Sequence, residues 1–162
     1  MELVKITVKE DIENVRSFFC QIFPEETENS LLYFEKSITG QHQFQRLEYY
    51  LCHENNVIVG ITGVYADNND ECWLGWFGIR PEYRQRGYAT SILNLQLQQM
   101  QSYGYKICRL YTDKVINKNA VNLYLKTGFT EDSWYMDNII TMAKSLDNKT
   151  VINKWSGEPL GF

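Results

Sequence analysis

Apolar and polar residues follow two rhythms along this chain, and the switches between them mark its elements. In "LVKITV", residues 3–8, Val4, Ile6 and Val8 occupy alternate positions, which predicts a first strand with these three on one face. Thr7 and Glu10 stand at capping-box spacing, and Ile12, Val15, Phe19 and Ile22 then recur at helical intervals until Pro24, which cannot continue a helix. Residues 28–38 predict a second short helix. The runs "RLEYYLCHE" (46–54) and "VIVGITGVYA" (57–66) flank two asparagines, the pattern of a hairpin. After the turn "DNND" comes "ECWLGWFGI" (71–79), read as one fourth strand. Residues 88–104 return to helical spacing, with Ala89, Leu93, Leu97 and Met100 on one face and Gly104 as the stop. "KICRLYTD" (106–113) is a fifth strand. Asn117 is placed to cap a helix ending at Lys126, with Gly128 beyond it. "FTEDSWYM" and "NIITMAKSL" close the pattern as two strands, and the tail "NKWSGEPLGF" shows no periodicity.

The predicted order is β-α-α-β-β-β-α-β-α-β-β, with one clear β-α-β crossover through residues 71–112. A meander with a single crossover gives a mixed sheet with helices on both faces, an α/β (α+β) architecture, and not a doubly wound parallel sheet. At 162 residues, with no linker, repeat or low-complexity stretch, residues 1–162 are expected to form one domain.

Composition narrows the function classes. Hydrophobic residues make up 44% and charged residues 22%, as in ordinary globular domains. A net charge of −4 argues against nucleic acid as the main partner. Cys20, Cys52, Cys72 and Cys108 form no C-x-x-C pair and each lies in an apolar run, so all four are expected as buried, reduced thiols. With only His42 and His53 besides, no metal site is expected. No apolar run approaches the ~18 residues of a membrane span, and no signal peptide follows Met1, so the expected compartment is the cytoplasm with no membrane partner.

One stretch stands out chemically. "RQRGYA", residues 84–89, joins a strand to a helix N-terminus, where backbone N–H groups lack partners and the helix dipole is positive. Gly87 has no Cβ to hold an anion away, and Arg84 and Arg86 can add charge-assisted hydrogen bonds. The P-loop and dinucleotide glycine patterns are both absent.

"R-x-x-G-x-A" at 84–89 after "GIRPEY", followed about thirty residues later by "NKNAVNLYLKTGF" (117–129), resembles the two hallmark motifs of the GNAT superfamily of N-acetyltransferases. The resemblance implies the acyl-CoA N-acyltransferase fold, whose mostly antiparallel sheet splays between its fourth and fifth strands. Here those are 71–79 and 106–112, and the cleft between them would take the pantetheine arm of acetyl-CoA as co-substrate. Backbone groups of Phe77 and Ile79 would meet the pantetheine amides and the acetyl carbonyl. Arg84, Gln85, Arg86, Gly87, Tyr88, Ala89 and Thr90 would bind the pyrophosphate, and Asn117 would reach the cofactor from the other side. Tyr124 matches the tyrosine that protonates the departing thiolate in many relatives. Gly75 and Gly78 fit either a bulge or close packing beside Trp73 and Trp76, while Tyr111 reads as packing.

Some relatives carry a glutamate base six residues before the position of Ile79. Trp73 occupies that position here. Glu71, two residues earlier on the same strand face, is the substitute candidate, with Glu48 a further one. The acceptor region, 25–45, carries Glu25, Glu26, Glu28 and Glu35, either a cation-attracting row or a solvated helix face. The resemblance thus implies an acetyl-CoA-dependent transferase acting on the primary amine of a small molecule. Protein lysine or N-terminal acetylation, and a non-catalytic acyl-CoA-binding module, stay open beside it. A homodimer is compatible with the resemblance.

Overall fold

The computed structural model describes all 162 residues. Asn55 and Asn56 both hold left-handed backbone, with φ of 50° and 63°, as a two-residue hairpin turn requires. They join β2 (Arg46–Glu54) to β3 (Val57–Ala66), as the sequence predicts. The remaining strands are β1 (Glu2–Lys5), β4 (Glu71–Leu74), β5 (Gly78–Ile79), β6 (Ile107–Asp113), β7 (Thr130–Met136) and β8 (Ile139–Ser145). The helices are α1 (Lys9–Ile22), α2 (Thr27–Thr39), α3 (Tyr88–Ser102) and α4 (Lys118–Lys126). The protein is a mixed α/β fold with one open eight-stranded sheet, ordered β1-β2-β3-β4-β6-β8-β7, and β5 pairs with β3 off that path. Only β4 and β6 run parallel; every other pair is antiparallel.

The strands sort their side chains by alternation. One face meets α1 and α2 and buries Phe19, Phe34, Tyr49, Ile61, Tyr65 and Trp73. The other meets α3 and α4 and buries Tyr50, Val64, Cys72, Cys108, Leu93 and Tyr124. Ile12, Val15, Phe19 and Ile22 are the buried stripe of α1, as their spacing predicts.

The expected fourth strand is broken. β4 pairs Leu74 with Val64, and β5 pairs Gly78 with Ile61, so three residues (Gly75, Trp76, Phe77) stand opposite two (Thr62, Gly63). This is a β-bulge, and it bends the strand away from β6. β4 and β6 pair from Glu71↔Ile107 to Trp73↔Arg109 and no further, while β6 runs on to Asp113 against β8 alone. From the bulge onward the sheet is split, at the place the sequence assigned to the cleft.

Other expectations fail locally. β1 stops at Lys5; of its expected apolar face only Ile6 is buried, with Val4 and Val8 exposed. Val8, not Thr7, precedes the first turn of α1, and no side chain caps it, so the capping box does not form. Cys20 is exposed on the outer side of α1, whereas Cys52, Cys72 and Cys108 are buried and free as expected. No helix is long and apolar enough to cross a membrane.

Candidate cofactor cleft and active site

On the α3/α4 face, the split opens beside the N-terminus of α3. Gln85 and Gly87 take left-handed φ of 60° and 81° around Arg86, and Gly87 is the residue that caps α3. Alternating left-handed positions turn successive N–H groups toward one concavity. Gln85, Arg86 and Gly87 donate no backbone hydrogen bond, and Tyr88, Ala89 and Thr90 form the first turn, where no acceptor lies inside the helix. Six N–H groups in a row are thus unspent, and no side chain caps the end. A Cβ on Gly87 would meet no protein atom within 4 Å, so the glycine faces open space. Its positive φ is what an L side chain would resist.

The arginines divide their work. Arg80 is neutralised by Glu82, and Arg84 turns its Nε to the carbonyl of Ile79, 2.9 Å away. Arg86 lies 5.6 Å from the ring centre of Tyr83. Neither Arg84 nor Arg86 has a carboxylate partner, so two positive charges border the run of N–H groups.

Deeper in the split, Phe77 uses neither its N–H nor its carbonyl in a backbone hydrogen bond. The N–H of Arg80 bonds the carbonyl of Val59 at 2.9 Å, and Ile79 stands opposite Gly60. Bonded and non-bonded pairs alternate along an antiparallel ladder, so Ile79 turns its N–H away from β3 and into the split. The limb therefore offers backbone polar groups at Phe77 and Ile79.

α4 forms the opposite wall. Asn117 sits at its N-terminus but does not cap it; its Nδ2 donates to Thr112 Oγ1 of β6 at 3.1 Å. One turn after Ala120, Tyr124 is buried between Phe77 and Phe129, with ring centres 6.2 and 5.8 Å away. Its hydroxyl makes no hydrogen bond within the protein. Burial, with a smaller contribution from Cys108, pushes the Tyr124 phenol far above its ordinary value, so it stays protonated. The two motifs thus meet: the loop 84–90, Phe77, Ile79, Asn117 and Tyr124 border one split.

The two candidate bases lie elsewhere. Glu71 is at the start of β4, where both its oxygens accept from the guanidinium of Arg109 at 3.0 and 3.2 Å. Arg109 is 2% exposed and also donates to Asp132 at 2.6 Å and to the carbonyl of Asn153 at 2.7 Å. Glu48 lies near the C-terminal end of α3, where Tyr50 and Tyr103 donate to it and Lys5 and Arg46 pair with it. Burial alone would raise the Glu48 carboxyl, but those hydrogen bonds and charges outweigh it and hold the group below the usual range. Such a carboxylate is a weak base, and four neighbours already engage it.

The α1/α2 face of the split is lined by rings. Trp76 of the bulge packs against Phe23 and Tyr33, with ring centres 5.1 and 6.5 Å away. Tyr111, two residues past the last β4–β6 pair, donates to the carbonyl of Gly161 at 3.2 Å. Burial first, then Tyr33 and Glu26, push its phenol up to about 12. Trp73 is core, whereas Trp134 is 63% exposed on the edge strand. Of the acidic row, Glu28 pairs with Arg16 and Glu35 with Lys9, while Glu25 and Glu26, ahead of α2, have no cationic partner. Sequence reasoning missed Arg109 and the tail. A lone arginine inside the apolar run "ICRLY" was the available signal for the first; the tail offered none.

The family model for the acetyltransferase (GNAT) family matches residues 12–129. No curated protein matches the sequence. Among solved structures, the PaiA N-acetyltransferase of Thermoplasma acidophilum in complex with coenzyme A is 18% identical, covering 90% of this chain and 99% of its own, with a TM-score of 0.67. The aminoglycoside 6′-N-acetyltransferase of Enterococcus faecium is 14% identical, covering 90% and 97%, with a TM-score of 0.70. The ribosomal-protein-S18-alanine N-acetyltransferase of Escherichia coli is 17% identical, covering 99% and 100%, with a TM-score of 0.66. At such identities these likenesses establish the fold.

Proposed function

The chain belongs to the acetyltransferase (GNAT) family, and from that footing we propose that it transfers the acetyl group of acetyl-CoA to a primary amine of a small molecule. The run of unspent N–H groups from Gln85 to Thr90, bordered by Arg84 and Arg86, carries this reading. A pyrophosphate suits it, because fixed donors and a helix dipole bind an anion without reorganising. A neighbour of the same fold was crystallised with coenzyme A. Phe77 and Ile79 would bond the pantetheine amides and the acetyl carbonyl through their backbone, and Asn117 would close on the cofactor from α4.

When bound, acetyl-CoA supplies an activated thioester. The amine nitrogen bonds the acetyl carbon as the C–S bond breaks; nitrogen gives up one proton and sulfur gains one. Tyr124, kept protonated by burial, would give sulfur its proton, and the proton leaving nitrogen would restore the phenol through solvent.

Neighbours on this fold include an aminoglycoside enzyme and a ribosomal-protein enzyme, so the fold admits both acceptor classes. The aromatic lining of the α1/α2 mouth favours the small amine. One observation favours an acyl-CoA-binding module without turnover: Glu71, the candidate base on β4, is held by buried Arg109.

Acetyl-CoA binding by calorimetry tests the core of the proposal. The wild type is expected to bind with a Kd on the order of micromolar, and an Arg86→Glu, Gly87→Glu variant to lose at least about tenfold, since it sets two charges against the pyrophosphate. If the wild type binds no acyl-CoA, the enzyme reading falls. Binding without thiol release across a panel of amines would leave the module.

A further inference from the structure

The C-terminal segment lies on the α1/α2 face of the split, where the sequence carried no pattern. Three phenols from three elements converge on two adjacent carbonyls of it. Tyr65 of β3 donates to Leu160 O at 2.6 Å, and Tyr33 of α2 and Tyr111 of β6 donate to Gly161 O at 3.4 and 3.2 Å. Phe162 packs edge-on against Tyr111 and Tyr135, with ring centres 5.4 and 5.1 Å away. Gly161 holds a φ of 81°, and a Cβ there would sit 3.0 Å from the Tyr65 ring, so the backbone lies flat on that ring.

The segment is tied down further back. Trp155 packs edge-on against Trp73 at 4.9 Å and donates its backbone N–H to Asp132 at 2.9 Å, while the carbonyl of Asn153 accepts from buried Arg109. Pro159 is buried. The carbonyls of Asn153, Glu158, Pro159, Leu160 and Gly161 all accept hydrogen bonds, so this is a placed element and not a strand end left on the surface.

Its position has a consequence that rests on the acetyl-transfer reading. The cofactor side of the split is the α3/α4 face, where the free N–H run and Tyr124 lie. An amine must therefore reach the acyl carbon from the α1/α2 face, past Trp76, Tyr33 and Tyr111. Gly161 bridges two of those three side chains.

We infer that residues 159–162 form the outer wall of the acceptor site, fastened by Tyr33, Tyr65 and Tyr111, and that this wall restricts the acceptor to a small primary amine by excluding polypeptide. A lysine presented on a peptide brings main chain on both sides of it, and that chain would have to lie where Leu160 and Gly161 lie. A free small amine brings no such flanks.

A Leu160→Asp, Phe162→Asp variant of the full chain, whose charges favour water over the aromatic face, tests this. Tyr65→Phe is the milder companion: it removes only the bond to Leu160 and lines no part of the mouth. Thiol release is followed with small aliphatic and arylalkyl amines and with an unstructured lysine peptide. The ratio of peptide to small-amine kcat/KM should rise at least about tenfold in the double variant and in the same direction, but less, in Tyr65→Phe. Acetyl-CoA affinity, measured on each variant, should stay the same. An unchanged ratio with intact acetyl-CoA binding overturns the wall while leaving the enzyme reading standing. An equal rise for peptide and small amine overturns it too, because the segment would then be a plug and not a size filter. A wild type that binds no acetyl-CoA overturns both readings together.

Discussion

The rings of Phe77 and Tyr124 meet across the split, 6.2 Å apart, one on the limb that leaves the sheet and the other on α4. The phenol is the only polar atom Tyr124 adds to that contact, and phenylalanine would keep the packing. Tyr124→Phe should therefore lower kcat by about 10²-fold, the usual worth of a positioned proton donor. Acetyl-CoA affinity should change by less than about twofold, because the hydroxyl is asked to act only as sulfur departs. Thiol-release kinetics beside calorimetry reads both. A kcat unmoved by the substitution removes Tyr124 as the acid.

Arg109 is a buried cation held by two carboxylates, Glu71 and Asp132. Arg109→Met would leave both negative charges without their partner and should cost about 3–5 kcal/mol of stability, read from urea unfolding. Glu71→Gln separates structure from chemistry. The geometry predicts lower stability with kcat unchanged. A kcat loss of about 10²-fold at unchanged stability would instead make Glu71 the base.

Gly78 faces α1, and a Cβ on it would run into Cγ2 of Ile22. Gly78→Ala should destabilise by about 1–3 kcal/mol through overpacking. Leucine has no methyl at that branch, so Ile22→Leu should recover part of the loss. A double-mutant cycle with no coupling between the two positions would rule the contact out as the cause.

Much of this was legible in the chain because local rules and tertiary packing agreed. The stripe Ile12, Val15, Phe19, Ile22 and the turn at Asn55 and Asn56 each satisfy a short-range rule that the fold then uses. The unspent N–H groups of the loop 84–90 were legible because they follow from local backbone geometry at a helix start. Elsewhere the decision was made at a distance. "ECWLGWFGI" reads as one strand, since only pairing with β3 reveals that three residues must stand opposite two. Thr7 had capping spacing, but the chain enters α1 one residue later. Cys20 lies among apolar neighbours in sequence and on the outer side of its helix in space. Glu71 had the right strand and face for a base, and Arg109, remote in sequence, claimed it.

Glu48 ties acid stability to one cluster. Its folded-state pKa lies below the ordinary value of a glutamate carboxyl, so the ionised form is favoured by folding. That contribution is fully present above about pH 5 and is lost as pH falls through the folded value. Glu48→Gln should lower stability at neutral pH and flatten its decline between about pH 5 and pH 3. Urea midpoints across that range are the measurement. A variant that declines as steeply as wild type would show that other carboxylates govern the acid limb.

The bulge at Gly75–Phe77 has an effect on facing as well as on direction. Along an unbroken strand Phe77 and Ile79 would fall on the side of Trp73, toward α1 and α2, because side chains alternate. One additional residue inverts that parity. Phe77 and Ile79 now pack with the α3 and α4 side, and Trp76 turns to the other. What the segment must conserve is therefore a count more than an identity. Substitutions at position 76 leave the bulge intact, whereas deleting one residue between Leu74 and Gly78 would restore two opposite two: Phe77 and Ile79 would keep the α3/α4 side, but the bend that parts this limb from β6 would be lost.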